Sequence, residues 1–514
     1  MSTYITPTTP SLTVGDILPA DIFLVKDLRS TNVDYELQYQ EWEFLTAVYE
    51  GVRQLVELGV VKIHEREDTS AYLRRMTELF GLNYSRAVVD LVNFYLFKKE
   101  PERTLPAALA TDEAWEAFTL DCNHYGDAFP DYIADQARWA SVLGNVGILI
   151  DKPALELETK EQERALGIYP YLSCYHPQAV LDWQYKRDET GRPRLVYLKL
   201  RDDDGSYRIW WQDMWQLWEE PETEDGNEAT DDAEAVLIEE SSNPLGEIPF
   251  VFLQNLRGRH WPIGVSDIHE IGRIDLSIVR ELSQISEIIG FNAFPILLAP
   301  MMEEGSETQD DVGPTSVIEF DPDHPEAKPE WMQPVAEGVI RAIWEGIEKK
   351  GREIYRIANA GGLQQVDTAA VAKSGTALSA EFQQLNSKIT QKAVNLEKAE
   401  NRILYFWMRW QGLDQLIPEA KITRSRDYDV ANLSQDLADA MTAKTVVRSD
   451  TFKQEIEKQV ARATLPGAED ETIKIIDEEI MAAERDPLAM GFDVEADDEP
   501  EGEDTATDTE EDEE

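Results

Sequence analysis

Cysteine is nearly absent from this 514-residue chain, which has only Cys122 and Cys174. Two thiols exclude a disulfide framework or a cysteine-rich zinc site and read as buried, reduced residues of a cytosolic protein. Histidine is scarce as well: the six, at 64, 124, 176, 260, 269 and 324, show no metal-ligand spacing. His176 before Pro177 and His260 before Trp261 read as loop or core-edge residues. No run approaches the ~20 consecutive apolar residues of a membrane span, and residues 1–14 lack the basic start and apolar core of a signal peptide. A soluble protein, made where it works, is expected. Also missing are a phosphate-cradling Gly-Lys-Ser/Thr loop and a Gly-x-Gly-x-x-Gly turn after a strand. Gly144 and Gly147 match the latter only in part and are read as close backbone packing where a helix passes into a strand. These absences leave no cofactor, metal site or catalytic residues to expect, and the chain is read as a non-enzyme.

Positive charge is the other shortage. Against 101 Asp and Glu stand 48 Lys and Arg, a formal net of −53. Residues 484–514 hold 16 acids and one arginine, with few large apolar side chains, so 486–514 reads as a disordered acidic tail. Taking the net −15 of 484–514 from −53 leaves −38 on the other 483 residues. Such a body does not hold nucleic acid by neutralising phosphates, which takes clustered lysine and arginine. Solubility or a halophilic source would also account for it.

What is present is aromatic and strongly patterned. The 13 tryptophans and 18 tyrosines belong to folded protein, and the length allows two to four compact units. Residues 35–53 and 71–97 read as amphipathic helices, the first with Leu37, Trp42, Leu45, Val48 and Val52 on one face. A further helical stretch, 115–143, is interrupted near Gly126 and Pro130. Residues 144–151 form a short buried-strand pattern. From 169 to 255 the period is two, with strands near 195–200, 207–211 and 235–238 and turns at 188–191 and 202–205: an antiparallel meander. The Asp202-Asp203-Asp204-Gly205 run reads as a solvated turn, although a hundred acids keep an acid-lined, metal-dependent nuclease open as an alternative.

Residues 266–293 return to helix, with Asp267 and Glu270 spaced as a capping box and Ile268, Ile271, Ile274, Ile278, Leu282, Ile285 and Ile289 as the stripe. A proline-rich segment follows, strand-like at 296–298 and 317–320. Pro334 opens another helix to 357, with Val335, Val339, Ile343, Trp344 and Ile347 inward. A small-residue loop, 358–373, leads into the longest pattern, 374–411. Its stripe of Leu378, Phe382, Leu385, Ile389, Ala393, Leu396, Ala399, Ile403, Phe406 and Trp410 recurs every three or four residues. At ~1.5 Å per residue that rod is about 50 Å long. Short helices at 434–443, 449–459 and 473–485 complete the chain.

This order resembles the portal proteins of tailed bacteriophages over residues 35–485. The stretches that carry the resemblance are Asn83-Tyr84-Ser85-Arg86 running to Phe97-Lys98-Lys99-Glu100-Pro101, then 144–153 (GNVGILIDKP) and Ile248-Pro249-Phe250-Val251. Ser266-Asp267 opening the helix that closes on Asn292-Ala293-Phe294-Pro295, and Ser374-Gly375-Thr376-Ala377-Leu378 opening the last, complete the set. The resemblance implies an α+β portal-like fold: wing 1–264 with the meander, stem helices 265–293 and 334–357, and a small α/β clip at 294–333. It further implies a tunnel loop at 358–373, a long wing helix at 374–412, an α-helical crown at 413–485 and the tail. It implies a ring, usually of twelve subunits, at a capsid vertex of the virion, assembled in the host cytoplasm without cofactor or membrane. Double-stranded DNA would pass through it during packaging and ejection. Partners would be the terminase large subunit, a head–tail adaptor, and the major capsid and scaffolding proteins, with the ring nucleating head assembly.

The residues it places at the tunnel are Gly361, Gly362, Gln364, Gln365 and Lys373, with Lys349, Lys350, Arg352 and Arg356 nearby. Those at the motor-docking clip are Glu303, Glu304, Asp310, Asp311, Asp321 and Asp323. The four basic residues of 349–356 have two readings, transient phosphate contacts or satisfaction of a helix C-terminus. A different head-completion or minor capsid protein is the structural alternative.

Overall fold

A computed structural model describes residues 22–63, 69–153, 162–163, 166–222, 229–293, 296–298, 330–332, 337–358, 375–426 and 428, with isolated positions 458, 475, 476 and 480. Residues Met1–Asp429 form one compact unit and Val430–Glu514 a second. In the second, Lys458, Ile475, Ile476 and Ile480 are helical; the rest of the expected crown helices and the acidic tail lie outside the described residues. No described helix is long and apolar enough to cross a membrane.

The first unit mixes helix and sheet, as expected. Its helices are α1 (Val25–Arg29), α2 (Val33–Glu50), α3 (Val52–Glu57), α4 (Thr69–Glu78), α5 (Tyr84–Phe97), α6 (Ala107–Ala110), α7 (Glu113–Leu120), α8 (Phe129–Leu143), α9 (Ile271–Ala293), α10 (Glu337–Ile357) and α11 (Gly375–Trp410). Its strands are β1 (Glu102–Thr104), β2 (Asn145–Asp151), β3 (Tyr171–Tyr175), β4 (Val180–Arg187), β5 (Pro193–Arg201), β6 (Tyr207–Trp211), β7 (Met214–Glu219), β8 (Val236–Ser242), β9 (Phe250–Gln254), β10 (Leu256–Arg257), β11 (Gly264–Val265), β12 (Ile296–Leu298), β13 (Glu330–Met332) and β14 (Lys421–Thr423).

The meander is present as a five-stranded antiparallel sheet in sequence order, β4-β5-β6-β7-β8. Its turns use the expected chemistry. Asp188 accepts from the backbone of Thr190 and Arg192, and Gly191 and Gly205 take φ of 79° and 91°, which suits a residue without Cβ. The Asp202 turn is less solvated than its composition implied, because Asp202 accepts from Tyr175 (2.7 Å) and from Arg208 (3.1 Å).

A second sheet, β3-β2-β9, separates two hydrophobic cores. Side chains alternate across a strand, and β2 shows the consequence: Leu149 enters one core while Val146, Ile148 and Ile150 enter the other. The first core contains α2, the meander tryptophans, α9 and the buried side of α10. The second contains α7, most of α8 and the whole described stripe of α11, from Leu385 to Phe406.

Three expectations are corrected. The run 35–53 is two helices meeting at Gly51, and Leu37, assigned to the inner face, is exposed. The run 71–97 is also two helices. They are parted before Asn83, which sits at φ 46° and caps α5 by accepting from Arg86 N at 3.0 Å. The interruption expected near Gly126 and Pro130 is present: α7 ends at Leu120, and Pro130 stands in the first turn of α8, where a missing N–H costs nothing. Ile289, Val339 and Trp344, expected to point inward, are about half exposed in the single chain.

Lys199 is buried in the first core, donating to Asp27 O (2.7 Å) and Ser30 Oγ (2.8 Å). Burial pulls its pKa down to about 8, with Asp182 and Asp27 opposing. Over pH 8 to 10.5 the unfolded chain therefore binds more protons than the folded one, so stability rises with pH in that window. The wild type should gain about 3 kcal/mol over Lys199→Met between pH 7.5 and 10.5, as read by urea midpoints of both proteins.

Candidate functional site

The candidate site is the helix α10, which carries the described residues expected to face DNA, with the elements that hold it, α9 and α11. The pair α9 and α10 packs through Ile278, Leu282 and Ile285 on α9 and Ile347 and Ile354 on α10, all buried. Their far ends are drawn together by a short antiparallel ladder, Ile296 to Leu298 of β12 on Met332 to Glu330 of β13. The strand expected at 317–320 lies outside the described residues.

Polar anchors fix the near end of the pair to the body. Asp275 on α9 accepts from Ser85 N at 2.8 Å, at the opening of α5. Buried Arg75 of α4 reaches Glu287 (3.5 Å) and Lys62 O (3.1 Å). On α10, Gly351 lies against Tyr84: a Cβ there would stand 3.1 Å from its ring, and Tyr355 meets the same ring edge-on.

The strongest anchor involves Asp267, and it corrects the capping-box expectation. The helix starts four residues later at Ile271, and Ile268 N is satisfied by Ser266 Oγ at 3.1 Å. The Asp267 side chain is wholly buried. It accepts from Lys392 Nζ and from Asn255 Nδ2 (3.1 Å) and pairs with Lys388 Nζ at 3.1 Å. Lys392 also donates to Ser141 Oγ at 2.8 Å. Burial raises the Asp267 pKa, but Lys392 and Lys388 outweigh it and hold the carboxyl below its usual range. Lys392, also buried and beside a second ammonium, lies below the usual lysine range despite Asp267. Thus one carboxylate at the root of α9 serves two lysines one turn apart on α11. It crosses from the core holding α9 to the core holding α11.

Of the expected tunnel residues, the structure places four. Lys350 does not face solvent freely: it donates to Ser277 Oγ (2.8 Å) and to Glu281 on α9, an internal clamp of the pair. Lys349, Arg352 and Arg356 are exposed on the side of α10 away from Ile347 and Ile354, as 100° per residue requires. Among the described residues, Arg352 and Arg356 pair within the helix, with Glu348 (3.4 Å) and Glu353 (2.6 Å). Exposed Arg341 shares that face; sequence reading missed it, although the spacing Arg341, Lys349, Arg352, Arg356 is a readable stripe. Gly361, Gly362, Gln364, Gln365 and Lys373, and Glu303, Glu304, Asp310, Asp311, Asp321 and Asp323, lie outside the described residues.

Among the described residues no three His, Cys, Asp or Glu side chains gather to hold a metal. Burial pushes both thiols up to about 12, and the His176 ring lies tilted against Trp139 with 4.6 Å between centroids.

No family model matches this chain, and no curated protein matches it. Similar solved structures include a chain from the neck of an empty GTA particle, computed with C6 symmetry. It shares 9% identity and a TM-score of 0.43 over 77% of this chain and 94% of that one. Another, from the neck of a native GTA particle computed with C12 symmetry, shares 8% and 0.41 over 73% and 89%. Likeness this distant carries no inference about activity, and the functional reading rests on the chain's own residues.

Proposed function

We propose that this chain is the subunit of a portal-like ring: a non-enzymatic conduit for double-stranded DNA at a capsid vertex, with α9 and α10 as stem and α11 as the long wing helix. The observation that supports it is the sequence of parts from α9 to α11. A packed helix pair is closed at its far end by a small ladder, then followed by fifteen or so small and polar residues and a helix of 36 residues clamped to the root of the first. Half-exposed Ile289, Val339 and Trp344 would be covered by neighbouring subunits standing side by side. Partly compensated cations on α10 suit a wall that guides phosphates without holding them, because each neutralised phosphate adds affinity that must be lost before the next step. Docking of a packaging motor and a head–tail adaptor belongs to the same reading.

Imaging the purified chain down its axis and weighing it by native mass spectrometry tests this. An annulus of one or a few subunit numbers is expected. Trp344→Glu should lower the assembled fraction at least 10-fold without shifting the subunit's melting temperature by more than a few degrees. Monomers alone, across concentrations and salt, would overturn the reading. Rings that neither package nor retain less DNA when 359–373 are deleted would favour a static head-completion protein.

A further inference from the structure

One concave surface has the opposite charge from the rest of the body. A cleft of about 780 Å³ opens between the start of β5, strand β9 and α11. Its walls carry five cations, Arg192, Arg194, Arg257, Lys398 and Arg402, against the single acid Glu247. Glu247 is already committed to Arg402 (2.6 Å) and Arg409 (2.5 Å), and Arg194 to Asp188 (2.9 Å). Arg192, Arg257 and Lys398 remain exposed with no ion pair among the described residues. Between them the lining is apolar, with Phe252 partly covered and Trp261 54% exposed. Cations set around aromatic surface fit an acidic polypeptide segment that also carries apolar side chains.

The chain displays such a segment. Strand β8 is the far edge of the meander, hydrogen-bonded to β7 on one side; the residues before it, 233–235, are bridged to 23–25, so the open stretch of the edge begins at Val236. Val236, Leu237 and Ile238 are 45%, 40% and 49% exposed, and exposed acids flank them at Glu234 and Glu239. A bare apolar edge strand is a pairing surface that soluble proteins ordinarily cover or charge. The cleft lies at the opposite edge, where Tyr185 of β4 and Arg192 to Leu195 line it. Strands stand about 4.8 Å apart, so four intervals separate the two patches by roughly 19 Å. Neither patch can meet its complement within one sheet.

We propose that the acidic, apolar β8 edge of one copy docks in the basic, aromatic cleft beside β4 and β5 of the next. Two different patches that complement each other make a head-to-tail contact, which closes into a ring when the rotation permits. The inference rests on the ring reading and adds to it which surfaces join. Docking would cover the strand edge and neutralise cations that otherwise face solvent.

The test uses the full chain. Arg257→Glu with Lys398→Glu should raise the subunit concentration for half-assembly at least 10-fold, measured by native mass spectrometry and sedimentation. Glu234→Lys with Glu239→Lys should do the same, and mixing the two charge-reversed proteins should restore a contact between unlike copies. Leu237→Lys provides a solvent-facing variant whose folding is not at risk, with circular dichroism melts as the check on all. A cysteine pair, Lys398→Cys and Glu239→Cys, should give a ladder of crosslinked multimers under mild oxidation. Wild-type rings assembling unchanged in every variant would overturn this contact and leave the ring reading standing; a wild type that never assembles would remove both. A short DNA duplex that binds the wild type but not Arg257→Glu with Lys398→Glu, with assembly unaffected, would assign the cleft to nucleic acid instead.

Discussion

Replacing Asp267 with alanine is expected to cost about 3–5 kcal/mol of stability, the range for removing one partner of a buried ion pair. The size follows from what remains. Lys392 would keep Ser141 Oγ at 2.8 Å but lose its one anion among the described residues, and Lys388 would lose a partner at 3.1 Å. An uncompensated ammonium inside protein is far costlier than the lost attraction suggests, since water no longer solvates it. Asp267→Asn should lose somewhat less, because its one amide oxygen can still accept from Lys392 or from Asn255 Nδ2, which in the wild type bond different carboxylate oxygens. The double change Asp267→Leu with Lys392→Met should recover much of the loss, because both buried charges go together and Lys388, 15% exposed, can turn to solvent. The acid limb carries its own sign. A carboxyl held below its unfolded pKa contributes stability that is complete above the ordinary aspartate range and lost as pH falls through the lowered value. Wild type and Asp267→Asn should therefore differ in urea midpoint at pH 7 and converge as pH falls through the lowered range of that carboxyl.

That node was invisible in the sequence for an identifiable reason. Asp267 and Glu270 have the spacing of a helix cap, a local device, whereas Lys392, the buried partner of Asp267, stands 125 residues away. A hint did exist: Lys388 and Lys392 fall one turn apart within the apolar stripe of α11, beside Leu385, Ile389 and Ala393, where cations need a buried anion. The rod itself was legible nearly to the residue, 374–411 against Gly375–Trp410, because an unbroken 3.6-residue period admits no other regular structure. The meander was equally plain from its period of two and its Asp/Gly turns. The helix break before Asn83 was missed because no proline marks it; Gly81 and a left-handed asparagine do the work. Ile289, Val339 and Trp344 show a deeper limit. A stripe that packs on its own chain and a stripe that packs on another copy obey the same periodicity, so pattern alone assigns both to the core. Of the candidate site, the cationic face of α10 was read from composition, yet Lys350 proved to be a strut between helices. Only the position of Glu281 on α9 could have separated it from its neighbours.

Gly264→Ala should be the most damaging single methyl group among the described glycines. A Cβ at 264 would lie 2.0 Å from Gly144 O and 3.0 Å from Leu256 O, both backbone atoms with no rotamer to move. The contact is reciprocal: a Cβ on Gly144, which holds φ at 93°, would meet Gly264 O at 2.5 Å. Here the end of α8 and strand β11 cross backbone to backbone, as the reading of Gly144 as a close-packing residue anticipated. Relief requires separating two main chains, so the cost should reach or pass the upper end of the roughly 1–3 kcal/mol typical of overpacking. The neighbouring bonds make it worse. Asn255 N donates to Gly144 O and Asp267 N to Ser141 O, so a shift of either strand disturbs the carboxylate that fastens α9 to α11. Gly338→Ala supplies the contrast, since nothing lies within 4 Å of its Cβ site and alanine in a helix is favoured by about 0.5–1 kcal/mol. In thermal and urea unfolding, Gly338→Ala should match or exceed the wild type, while Gly264→Ala falls well below it. Equal stability for the two would mean that the crossing has slack, and that the root of the helix pair is not held rigidly to the body.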